Sequence, residues 1–199
     1  MLEYDAAALG WLGHTMPITD RAASVLDTFY GEGIGEKPII FIAHSLGGLV
    51  VKQILNRSAT VGKETERVIA EKTCGVVFMA TPHTGADIAK FVNALGSILQ
   101  QTDSLKELAA DAAPLRDQAD WYQHQSEMLG IKTRSYFETI PTPVVNLVVD
   151  QTSANPHVTG ASVVPVDANH SGIAQIASRN LPHYKSLRRF IKDSLANPT

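Results

Sequence analysis

Hydrophobic positions along this chain alternate between two patterns. Nearly unbroken apolar runs occur at Ile39–Ala43 (I-I-F-I-A), Gly75–Ala80 (G-V-V-F-M-A) and Val144–Val149 (V-V-N-L-V-V). Short runs of this kind predict strands covered on both faces. Between them the period becomes helical. Ala22, Val25, Leu26 and Phe29 share one face of a segment that Thr19 or Asp20 would cap, and Gly31, Gly33 and Gly35 end it after Tyr30. Leu46, Leu49, Val50, Ile54 and Leu55 share a face of 46–57, leaving Lys52 and Arg57 for solvent. Glu64–Lys72 reads as a polar helix. Residues 86–130 read as mostly helical, in pieces at Ile88–Gln100, Ser104–Ala113 and Leu115–Met128. Leu2–Tyr4 and Ser162–Val166 are short strands, and Ser171–Ser178 and Tyr184–Ala196 are closing helices. Strands alternating with helices predict an α/β fold with a mostly parallel sheet. With no internal repeat or low-complexity linker, residues 1–199 read as one domain.

In a parallel sheet, ligands gather beyond the carboxyl ends of the strands. Ser45 follows the first apolar strand, Asp150 follows Val144–Val149, and Asp167 and His170 follow Ser162–Val166. That order suits acyl transfer. A serine hydroxyl needs a base to take its proton, and histidine titrates near neutrality. A carboxylate then fixes the imidazole and stabilises the imidazolium. The stretch Ala43-His44-Ser45-Leu46-Gly47 has the form of a nucleophile elbow, G-x-S-x-G with alanine first. The Leu46 N–H, at the start of the helix, is placed for a developing oxyanion. The rival reading is a serine that merely caps helix 46–57.

Asp150 is the expected acid, with Asp167 as its rival and capping of the turn at Gln151-Thr152-Ser153 as its structural alternative. His157, His170 and His183 follow the acid in the chain, and His170 alone lies between a strand and a helix. His83 is expected to shape the sheet top through a structural hydrogen bond, and His44 to pack or bond locally. The apolar face of Ile88, Phe91, Val92, Leu95, Ile98 and Leu99 makes 86–143 a candidate cap over the serine, suited to an acyl chain. Plain sheet-covering helices are the alternative. For Trp121, Tyr122 and Met128, helix-core packing is favoured over a pocket role.

Composition narrows the picture. Net charge is −3, and with no basic block, nucleic-acid binding has no electrostatic support. A single cysteine, Cys74, excludes an internal disulfide and leaves no zinc-type Cys/His spacing. No cofactor or metal is implied. No run approaches the ~20 apolar residues of a membrane span. The first residues lack a signal peptide's pattern, which predicts an intracellular, cytoplasmic protein.

Three blocks, I-I-F-I-A-H-S-L-G-G-L-V-V-K-Q, G-V-V-F-M-A-T-P-H-T-G and D-A-N-H-S-G-I, resemble the lipase-like serine esterases of the α/β-hydrolase superfamily. The resemblance is nearest to the branch of serine-active-site-containing proteins and the hydrolase-like N-terminal domains of fungal NACHT-type receptors. It covers most of 38–178 and implies hydrolysis of carboxylic esters, lipid-like ones above all, with Ser45 as nucleophile and His170 as base. Asp150 carries over less well, because V-V-D-Q-T-S-A departs from the branch's pattern.

The resemblance also implies a strand and a His-Gly-rich oxyanion loop ahead of the serine strand. Leu2-Glu3-Tyr4-Asp5-Ala6 resembles the strand that follows that loop. The implied fold is therefore a partial α/β-hydrolase with a helical insertion after the second apolar strand. Ile39–Ala43 would then be an open edge inviting self-association, or would pair directly with residues 2–4. Loss of an oxyanion donor costs about 10²–10³ in rate. The second functional reading is accordingly a weak or inactive hydrolase-like domain used in binding or signalling.

Overall fold

Ile18–Gly31 forms the first helix, α1, with Ala22, Val25, Leu26 and Phe29 buried as the periodicity predicts. The structure, a computed structural model, describes residues 17–83, 88, 90–95, 112–143 and 146–196. The expected strand Leu2–Tyr4 and the helical piece Ser104–Ala113, apart from its last two residues, lie outside them.

Strand β1 (Ile39–His44) leads into helix α2 (Leu46–Thr60), then α3 (Glu64–Lys72) and strand β2 (Thr73–Met79). Helix α4 (Ala112–Met128), strands β3 (Lys132–Glu138) and β4 (Ser162–Val166), and helix α5 (Pro182–Ala196) follow. Every described strand pair is parallel, in the order β1-β2-β3-β4. All seven residues of β2 are buried, as its unbroken apolar run requires. Among the described residues β1 pairs only with β2, and Ile42 is half exposed on it.

Packing joins these elements into layers. Phe29 of α1 stacks on Phe41 of β1, in a cluster that includes Val50 and Ile54 of α2. Beneath the sheet's other strands, Leu49, Val77, Met79, Tyr136, Val166 and Leu187 share one core. None of the helices among the described residues is long and apolar enough to cross a membrane.

Four expectations change. Val144–Val149 is not the third strand: residues 146–149 form an irregular turn, and 144–145 lie outside the described residues. The third strand is β3, K-T-R-S-Y-F-E, inside the segment expected to be a helical cap. Its polar side chains hide the strand pattern, yet helices satisfy several of them. Thr133 Oγ1 lies 2.8 Å from the Tyr122 hydroxyl, and the Tyr136 hydroxyl lies 3.0 Å from Ser186 Oγ.

The closing helix at Ser171–Ser178 shrinks to one 3₁₀ turn, Gly172–Ala174, in which only Ile173 is buried. Lys52 is not solvent-facing but 1% exposed. It meets the rings of Phe78 and Tyr122, each centroid 5.7 Å from Nζ. Of the three α4 residues expected to pack in the helix core, Tyr122 is fully buried and Trp121 packs against the same cluster, but Met128 is exposed.

Candidate active site

Ser45 is the single residue between β1 and α2, with φ 56° and ψ −129°. A left-handed φ is strained for a side chain bearing Cβ, so neighbours must hold it. The Ser45 N–H donates to Met79 O at 2.9 Å, and Thr81 Oγ1 donates to Ser45 O at 2.9 Å. The turn after β2 thus clamps the turn after β1. Close approach falls at Gly48 rather than Gly47. A Cβ on Gly48 would sit 2.3 Å from Thr81 Oγ1, whereas one on Gly47 would meet nothing within 4 Å.

Ser45 Oγ lies 2.9 Å from His170 Nε2. On the ring's other side, His170 Nδ1 lies 2.9 Å from Glu138 Oε2. Glu138 is fully buried and His170 is 4% exposed. The second oxygen, Glu138 Oε1, accepts the N–H of Val148 at 2.5 Å and of Val149 at 3.2 Å. Donors thus surround the carboxylate, which offsets the cost of burying it. With Glu138 accepting, Nδ1 carries the imidazole proton and Nε2 is left to accept from the Ser45 hydroxyl. Leu46 is the first residue of α2. Its N–H belongs to a helix's first turn, where backbone donors have no intrahelical partner.

The structure brings Ser45 and His170 together but leaves Asp150 out. Asp150 is exposed, and its Oδ1 accepts the Ser153 N–H at 2.8 Å. Its structural alternative, a turn cap, is what it does here. Asp167 is exposed on the bend after β4. Glu138, at the end of β3, occupies the position beside the imidazole. The difference follows from the strand: the carboxylate beside His170 comes from the end of β3, eleven residues before Val149. The apolar stretch instead supplies the backbone donors of Val148 and Val149. A usable signal lay in Thr133, Tyr136 and Phe137, all strand formers, followed by the turn-rich Thr139-Ile140-Pro141-Thr142-Pro143.

His157 is exposed, with φ 53°, and His183 lies in the first turn of α5. His83 is 3% exposed, its ring edge-on to Phe78 at 4.6 Å. Neither of its ring nitrogens has a hydrogen-bond partner; its main-chain N–H bonds Ser153 O at 2.8 Å instead. Burial, with Lys52 and His157 adding to it, drives its pKa well below 6.5, so the ring is neutral.

A parallel sheet flanked by helices, with a serine on a strand-to-helix turn at the sheet's carboxyl rim, is the α/β-hydrolase fold. The esterase of Thermogutta terrifontis solved with malate bound superposes with TM-score 0.50 at 10% identity, over 92% of this chain and 75% of that one. At that identity the likeness speaks for the fold alone. In sequence the chain resembles the serine esterase branch of that superfamily. The family model described as "Putative serine esterase (DUF676)" matches residues 14–110. Protein SERAC1 of Homo sapiens is 27% identical over 203 residues, covering 98% of this chain, and that of Danio rerio is 29% identical over 206 residues. The chain spans 30% of the length of these curated relatives.

Proposed function

We propose that this chain is a serine hydrolase that cleaves carboxylic esters, lipid-like ones in particular. One observation carries the reading: Ser45 Oγ, the His170 ring and the Glu138 carboxylate form a continuous line of 2.9 Å contacts. In the proposed reaction, Nε2 of His170 takes the Ser45 hydroxyl proton as Oγ attacks the ester carbonyl carbon. The imidazolium, held by Glu138, then gives that proton to the departing alkoxide, which leaves as an alcohol. Water attacks the acyl-enzyme by the same proton route, freeing the carboxylic acid and restoring Ser45. The Leu46 N–H is the proposed donor to the oxyanion.

Support for an acyl substrate comes from the apolar surroundings. Phe91 meets the His170 ring at 6.0 Å, and Ile88, Val92, Leu95 and Ile173 share its cluster. The cap reading is accordingly narrowed to the helical residues ahead of β3.

Fluorophosphonate labelling followed by peptide mass spectrometry tests this. The adduct is expected on Ser45, with none on the Ser45→Ala variant, and labelled protein should lose turnover of an activated acyl ester. A folded wild-type chain that takes no label, or takes it elsewhere, would end the proposal and favour a binding domain that has kept only the hydrolase fold.

A further inference from the structure

His44 precedes Ser45, yet its partner is not local. Its Nε2 lies 2.8 Å from the main-chain oxygen of His170, 126 residues away in sequence. A carbonyl only accepts, so Nε2 carries the hydrogen and donates it. The two rings lie 5.0 Å apart, centroid to centroid.

His170 needs such a tether because it sits on a turn, outside both β4 and the 3₁₀ turn that follows. Nearby hydrogen bonds hold its neighbours: Ile140 N to Ala168 O and Ile173 N to Asn169 O in the main chain, and Gly172 N to the Asn169 side-chain Oδ1. Among the described residues, His44 is what holds the carbonyl of His170 itself.

We infer that His44 is a positioning residue, tying the turn that carries His170 to the strand that carries Ser45 and so fixing the reach between hydroxyl and imidazole. The inference rests on the serine hydrolase reading. His44 and Ser45 are adjacent, so one rigid dipeptide grips His170 twice, by its ring and by its backbone. The tether must also stay uncharged, since a cation there would oppose the imidazolium that His170 becomes. Its surroundings favour this: burial and the neighbouring His170 lower its pKa below 6.5, against smaller opposing effects of the carbonyl bond and Glu138.

The test compares His44→Gln, whose amide nitrogen can donate at similar reach, with His44→Leu, which cannot donate, and His44→Asn, which is too short. Leu and Asn variants should lose about 10- to 100-fold in kcat on an activated ester, since misplacement near 1 Å costs on that order. KM should stay within about twofold, as is usual when only transition-state interactions are lost. The Gln variant should recover most of the rate. A second readout needs no turnover: the low-field proton resonance of His170 Nδ1–H should persist in wild type and Gln, and broaden or vanish in Leu and Asn. If wild type neither labels nor turns over, the hydrolase reading falls, while the resonance still reports on the tether. Full kcat and an intact resonance in the Leu and Asn variants would overturn the inference, as would a Gln variant as impaired as they are.

Discussion

At the scale of single residues, Lys52 has the clearest electrostatic consequence. Burial lowers its pKa from 10.5 to about 7, with Asp120 opposing in part. The unfolded chain therefore binds more protons than the folded one between those values, and stability must rise with pH through that window. Below about pH 7 the full penalty applies, and near pH 10.5 it is gone. Lys52→Met keeps the length and the apolar stem without the charge. Denaturant midpoints should show it more stable than wild type at pH 7, by several kcal/mol at most. The advantage should shrink steadily toward pH 10. An advantage independent of pH would mean that packing, not charge, sets the difference.

Lys52 also shows what helical periodicity misses. It falls on the polar arc of 46–57, but that arc faces Tyr122 of α4, so the expected solvent side is an interface. Ser45 and His170 were legible because each follows a strand whose pattern is plain. Glu138 was not, since its strand is written in Lys, Thr, Arg and Ser, and no pattern of apolar residues reveals that other side chains will satisfy them.

At the scale of elements, the elbow depends on α2 lying hard against the turn after β2. Gly48 makes that approach, and Thr81 both fills the space beneath it and donates to Ser45 O. Gly48→Ala forces a methyl into Thr81 and should destabilise by about 1–3 kcal/mol, the usual cost of overpacking. It should also lower the rate of labelling at Ser45 by disturbing the serine's turn. Gly47→Ala, with open space around it, should cost little stability. Urea unfolding of the two variants checks this, and equal losses would contradict the packing argument. Helix α1 was legible to within a residue or two because its buried face, Ala22, Val25, Leu26 and Phe29, follows the period closely. The helix expected at Ser171–Ser178 is only one 3₁₀ turn, in which Ile173 alone is buried.

At the scale of the whole molecule, the sheet gathers three segments of the chain. β1 leads into the serine, β3 ends at Glu138, and the turn after β4 holds His170, all at the carboxyl rim that a parallel sheet makes available. The fold class was readable from the alternation of strands and helices. The strands themselves were not all readable, because β3 lies where a helical cap was expected, and Glu138 beside His170 stands at its end.

The most direct measurement is therefore kcat for an activated ester in Glu138→Gln beside Asp150→Asn. The amide at 138 cannot hold the imidazole in the same tautomer, so kcat should fall by about 10³–10⁴. Asp150→Asn keeps an oxygen for the Ser153 N–H and should leave kcat within about twofold, as befits an exposed side chain whose recorded partner is a turn N–H. A variant at 138 with near-native turnover, paired with a large loss at 150, would contradict the account.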